Sequence, residues 1–241
     1  MDAHYEIPEL VELYDLDSGW SSDRDFYLKL AGSSPKAVLD LGCGTGLLCD
    51  AYAAHGHKAT GVDPSAAMLG VARTKPNAGK VTWVQAFAED FRSNERFDLV
   101  IMTGHAFQVL LSDAEILRAL QTMRAHLKPH GLVAFESRNP AFDWRAVWDC
   151  DLVLEKDGRS IVESRRLLGM EGGRITFEMT YRFADKTLVS RSVLNCQPWT
   201  RISSLLSEAG LSVERILGDW DQTPFDAETS PEMIFMARME Q

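Results

Sequence analysis

AVLDLGCGTGLL, residues 37–48, is the stretch that decides the fold of this 241-residue chain. An apolar run broken only by Asp40 ends at Gly42, and Gly44 and Gly46 follow at alternate positions. Glycine belongs where the backbone turns through left-handed conformations or where a ligand lies against bare main chain. The next segment, LLCDAYAAHG, reads as a helix stopped by Gly56. A strand, a glycine turn and a helix in that order set unpaired N–H groups and a positive dipole end at the turn.

Working outward, strands and helices alternate. KATGVD is a second strand, and PSAAMLGVART reads as a helix with Pro64 in its first turn. VTWVQAF is a third strand, and RFDLVIMTG a fourth, apolar almost throughout as a strand covered on both faces should be. Ser112 and Glu115 form a capping box, and Ile116, Leu117, Leu120, Met123 and Leu127 recur at helical spacing. That spacing predicts a helix over 113–127, ended by KPHG, with LVAFES as a fifth strand. Such alternation over 37–137 means parallel strands joined by right-handed crossovers.

The flanks differ from this core. Residues 1–36 read as a helical cap with breaks, and 37–150 as the Rossmann-like, cofactor-binding core. In ITFEMTYRF, Ile175, Phe177, Met179, Tyr181 and Phe183 alternate with polar residues, the pattern of a half-buried antiparallel strand. SIVESRRLLGM and LVSRSVLNC are its expected partners, so 151–197 is an inserted antiparallel sheet, either a lid or a homodimer surface. Residues 198–241 return to the core as a helix and two closing strands.

Composition narrows the function. A net charge of -10 repels phosphate backbones and anionic lipid, so no DNA or RNA partner and no membrane surface is expected. No run approaches the ~20 apolar residues of a membrane span. MDAHYEIPEL lacks the apolar centre of a signal peptide. The four cysteines form no C-x-x-C pair, which points to reduced thiols and a cytoplasmic location.

Two ligand classes suit a glycine loop on the first strand: a dinucleotide on G-x-G-x-x-G, or S-adenosylmethionine on D/E-x-G-x-G-x-G. Leu47 stands where the dinucleotide pattern needs a small residue, and that pattern has no use for Asp40. Asp63, ending the second strand, suits the two hydroxyls of a ribose, and also suits an N-cap. VLDLGCGTG, TGVDPSAAML, VQAFAEDF, RFDLVIMTGHAF and LKPHGLVAFESRNP together resemble a class I S-adenosylmethionine-dependent methyltransferase. The resemblance implies a seven-stranded, mostly parallel α/β sheet with one reversed strand. It places Gly42, Gly44 and Gly46, with Asp40 and Cys43, around the amino-acid part of S-adenosylmethionine. Asp63 and Pro64 fall at the ribose, and Met68 forms the apolar wall against adenine. Phe87 stands where an acid is usual, beside Ala88 and Glu89, and either packs on adenine or belongs to the core. Thr103 completes the expected cofactor contacts, and no metal is expected.

Methyl transfer from a sulfonium asks the protein mainly to align the nucleophile and exclude water. His105, just past the fourth strand, is the best candidate base, but the expectation leans towards a positioning group, because an amine presented as the free base needs no base in the transfer step. Arg138 and Asn139 follow the fifth strand at the same sheet edge, where Arg138 could hold a carboxylate or phosphate or pair with Glu136 or Asp143. Tyr14, Trp20, Trp144 and Trp148 are the expected aromatic wall of the substrate site, the last two on one helical face. The expectation is methyl transfer to an N or O atom of a small molecule, with S-adenosylhomocysteine as product. A non-catalytic S-adenosylmethionine-binding protein and a nicotinamide-dependent dehydrogenase are the alternatives.

Overall fold

The computed structural model describes residues 1–240. Four short helices open the chain: α1 (Ala3–Glu6), α2 (Pro8–Val11), α3 (Tyr14–Asp17) and α4 (Ser22–Ala31). The alternating core follows as β1 (Ala37–Leu41), α5 (Leu47–Ala54), β2 (Lys58–Asp63), α6 (Ala66–Ala72), β3 (Thr82–Gln85), β4 (Phe97–Met102), α7 (Asp113–Ala125) and β5 (Leu127–Arg138). A second sheet comprises β6 (Cys150–Lys156), β7 (Arg159–Glu171), β8 (Arg174–Arg182) and β9 (Thr187–Asn195). The chain then closes with α8 (Trp199–Glu208), β10 (Leu211–Leu217) and β11 (Glu232–Met239).

The main sheet has the order β10-β11-β5-β4-β1-β2-β3, with only β11 reversed. β1 lies between β4 and β2, so the chain turns outward in opposite directions on either side of it. A crevice opens at the carboxyl ends of the strands at such a switch point. Leu39, Val100, Phe135 and Phe235 bury one face of the sheet under α7 and α8. Val38, Leu99, Ile101 and Ile234 bury the other beneath Phe26, Tyr27, Leu48 and Tyr52 of α4 and α5.

Two boundaries differ from the sequence reading. The helix expected over 113–127 stops at Ala125, because Leu127 already pairs with Phe97 as the start of β5. The register then jumps to Leu99 with Leu132, so KPHG bulges out inside the strand rather than preceding it. The inserted sheet also has a fourth strand, β6, beginning at Cys150. It is an edge strand, paired only to β7 and mostly exposed, so burial imposes no alternation on its sequence. The apolar face read from β8 is covered by its own chain. Ile175, Phe177, Met179 and Tyr181 pack with Leu10, Leu13 and Trp148. His4 ties α1 to this sheet, its backbone N–H and its ring Nδ1 lying 3.1 and 2.8 Å from Ser190 Oγ.

Candidate functional site

Two adjoining cavities open at the carboxyl edge of the main sheet. The first is a narrow cleft of about 130 Å³ between the glycine loop and the ends of β2 and β4. Gly42, Gly44, Asp63, Pro64, Met68, Phe87, Ala88, Glu89 and Thr103 all line it. Asp63 organises the loop: Oδ2 accepts from the Gly44 N–H at 2.8 Å and Oδ1 from the Ser65 N–H at 2.9 Å. Burial raises its pKa, and those two N–H donors oppose the rise. Ser65, not Asp63, caps α6, through a bond from the Met68 N–H.

The three glycines have different jobs. All three have positive φ, at 76°, 54° and 74° for Gly42, Gly44 and Gly46. A Cβ on Gly42 would meet Ala106, and one on Gly46 would strike Trp83 at 2.5 Å. A Cβ on Gly44 would meet nothing within 4 Å. Gly44 therefore presents bare backbone to the cleft at the N-terminus of α5.

The second cavity, about 490 Å³, lies under the inserted sheet and the N-terminal helices. Tyr5, Tyr14 and Gly104 line both cavities and form their junction. His105 lines the larger cavity directly beside Gly104. It sits at φ 60°, its backbone N–H donating to Glu136 Oε1 at 2.6 Å. Its Nε2 lies 3.0 Å from both carboxylate oxygens of Glu232. Glu136 also accepts from the Tyr27 hydroxyl, and burial raises its pKa.

Residues 38–131 match the methyltransferase-domain family. The curated relatives include a cypemycin N-terminal methyltransferase from Streptomyces sp, 26% identical over 95% of both chains. Among solved structures, the CcbJ methyltransferase of Streptomyces caelestis superposes with a TM-score of 0.80 at 20% identity, covering 96% of both chains. The sugar N-methyltransferase KedS8 of Streptoalloteichus sp gives 0.77 at 21% identity, covering 98% of this chain and 94% of its own. These likenesses support a class I S-adenosylmethionine-dependent methyltransferase.

The methyltransferase brings most of the expected residues to the cleft, with corrections. Asp40 is 1% exposed and does not line it. One oxygen faces the Cys49 thiol at 3.6 Å and the other, Oδ1, has no hydrogen-bond partner among the described residues. Cys43 and Gly46 also stand behind the loop rather than on the cleft wall. Phe87 is 53% exposed at the rim, so it is not a core phenylalanine.

In the larger cavity, Tyr14, Trp20 and Arg138 are present as expected. Asn139 is not: its amide donates to Ala227 and Ser230 carbonyls at 3.0 and 2.9 Å, holding a loop. Trp144 and Trp148 do not line the cavity either. Trp144–Ala146 forms a single 3-10 turn rather than a helix, and both rings stand against the Arg138 guanidinium, at 5.4 and 5.1 Å. Arg138 pairs with neither Glu136 nor Asp143; it donates to Gln108 Oε1 at 2.9 Å.

Tyr5, Glu232, Glu163 and Arg165 escaped the sequence reading. Glu232 was signalled only as an acid opening an otherwise apolar strand, EMIFMARM. Glu163 is 1% exposed in β7; burial first, and then Asp17, push its pKa up to about 7.

Asp40 carries a stability prediction. Burial pushes its pKa up to about 7, against an ordinary 3.8. Below the ordinary value both folded and unfolded chains hold the proton. Between there and 7 only the folded state holds it, so stability falls as pH rises, by about 4 kcal/mol in total. Asp40→Asn is expected to lose that pH dependence and to unfold at higher temperature than the parent at pH 8. Calorimetric melts at acidic and alkaline pH check it; parallel curves for the two proteins refute it.

Proposed function

We propose that this methyltransferase moves the methyl group of S-adenosylmethionine to an amine nitrogen of a small molecule, in the cytoplasm. The observation that carries this reading is the junction, where Tyr5, Tyr14 and Gly104 wall both cavities with His105 beside them. The cleft fits the cofactor: open backbone at Gly44, a carboxylate at Asp63 and an apolar wall at Met68. Bound there, S-adenosylmethionine would supply a methyl already activated by its sulfonium.

The chain's own residues supply the rest. The Glu232 carboxylate fixes the proton of His105 on Nε2, which leaves the Nδ1 lone pair as a proton acceptor. An aliphatic amine reaches the cavity as an ammonium. His105 Nδ1 takes one proton, which frees a nitrogen lone pair that would accept the methyl as its bond to the sulfonium sulfur breaks, with S-adenosylhomocysteine as the leaving group. Glu232 stabilises the resulting imidazolium. This pairing favours a proton acceptor over a mere positioning group. Burial keeps the phenols of Tyr5 and Tyr14 neutral, so they act as hydrogen-bonding groups at the junction. The cavity walls favour a small acceptor, and the names of the cypemycin and sugar N-methyltransferases favour nitrogen.

Calorimetry with S-adenosylhomocysteine and with NAD, then mass spectrometry of amine and matched alcohol panels, tests the proposal. Tight S-adenosylhomocysteine binding, no NAD binding and a single-methyl mass gain on amines are expected. Transfer confined to alcohols refutes the nitrogen assignment. Asp63→Ala is expected to weaken S-adenosylhomocysteine by about 2 kcal/mol, roughly thirtyfold, as a lost charged hydrogen-bond partner should. An unchanged affinity in the folded variant reduces Asp63 to a loop brace.

A further inference from the structure

The larger cavity holds three guanidinium groups, Arg24, Arg138 and Arg165. Two are matched by carboxylates. Arg24 pairs with Asp23 at 3.2 Å, and Arg165 with both Asp17 and Glu163 at 3.2 Å. Arg138 pairs with no carboxylate among the described residues. Its one hydrogen bond runs from Nη1 to Gln108 Oε1, a neutral acceptor whose own amide is held by Cys196. Nε and Nη2 make no hydrogen bond, yet neither is among the sealed, unpartnered atoms of the interior. Arg138 lines the larger cavity, and neither atom is sealed off from solvent.

The acids nearest Arg138 are committed elsewhere. Glu232 stands opposite Arg138 in the β5–β11 register, but both its oxygens are turned to His105. Glu136 serves the His105 N–H and the Tyr27 hydroxyl. Trp144 and Trp148 hold the guanidinium plane from the side, leaving a rigid fork with free donors. Such a fork matches the geometry of a carboxylate or phosphate.

Resting on the reading of this cavity as the acceptor site, we infer that the acceptor carries an oxyanion, a carboxylate or a phosphate, that binds Arg138. Register places that anion site one cross-strand step from the Glu232–His105 pair. One small molecule therefore reaches both with its anion and its amine. The acceptor is an amine that also bears an acid group, not a simple alkylamine or a neutral amide.

The test titrates protein saturated with S-adenosylhomocysteine with acetate and, separately, with inorganic phosphate, reading heat and tryptophan fluorescence. Affinity in the millimolar range is expected for at least one of them, weakened at least ~tenfold in Arg138→Gln. Arg138→Lys distinguishes the sources: a point charge retains phosphate but loses the two-point fit to acetate. S-adenosylhomocysteine binding by Arg138→Gln serves as the check that the variant is folded. If neither anion binds at tens of millimolar, or Arg138→Gln binds both as well as the parent, the inference is overturned. That result leaves the proposed function standing, whereas failure to bind S-adenosylhomocysteine at the outset defeats the function itself.

Discussion

Replacing Gly44 with valine is expected to abolish S-adenosylhomocysteine binding while the protein still unfolds in one cooperative transition. The residue has φ 54°, and a Cβ there would project into open space rather than into protein. The new side chain thus takes room that the proposed cofactor site needs. It also carries strain, since a β-branched residue at positive φ costs roughly 1–2 kcal/mol. That cost lowers the melting temperature by a few degrees, but the core of the domain is untouched. Gly44→Ala keeps most of the strain and adds only one methyl, so it separates strain from obstruction. Alanine is expected to bind weakly and valine not at all. Normal binding by the valine variant would mean that this loop is not the cofactor cradle.

The same loop shows how much of the molecule is legible in sequence. The alternation of strand and helix over 37–137 is written in local composition, because a strand buried on both faces must be apolar and a crossover helix must have a stripe. The residues of the cleft follow the same pattern: Gly42, Gly44, Asp63, Ala88 and Thr103 lie at a strand end or within three residues of one, and Met68 lies in the first turn of α6. The different jobs of the three glycines were not, since each depends on what stands opposite. Trp83 and Ala72 oppose Gly46, Ala106 opposes Gly42, and nothing opposes Gly44.

The larger cavity was harder to read, because its walls come from remote parts of the chain. Tyr5 and Tyr14 arrive from the N-terminal helices, His105 from the end of β4, and Glu163 and Tyr181 from the inserted sheet. Tryptophans 144 and 148 were read from their four-residue spacing as one wall of this cavity. The segment makes only a 3-10 turn, and the two rings close on Arg138 instead. Glu232 lies 127 residues from the histidine it holds, a separation that no local pattern records.

That pairing sets the largest expected kinetic effect. His105→Ala should lower kcat by ~10²–10⁴, the usual worth of a positioned general base. Its pH profile decides what the residue does. With His105 present, a bound ammonium can react as well as a free amine, because the ring is placed to take its proton. Without it, only molecules arriving as free amine can react, so the rising limb moves up towards the amine's own pKa. A positioning role would instead cost less and leave the limb in place. Glu232→Gln separates the two further. The amide keeps the size of the carboxylate but removes the charge that steadies the imidazolium, and its NH₂ group can hold the ring in the wrong tautomer. Its kcat should fall by ~tenfold or more with the Michaelis constant for the amine little changed, a transition-state effect rather than a binding one. A Glu232→Gln enzyme with full kcat and the parent pH profile would return His105 to a positioning role.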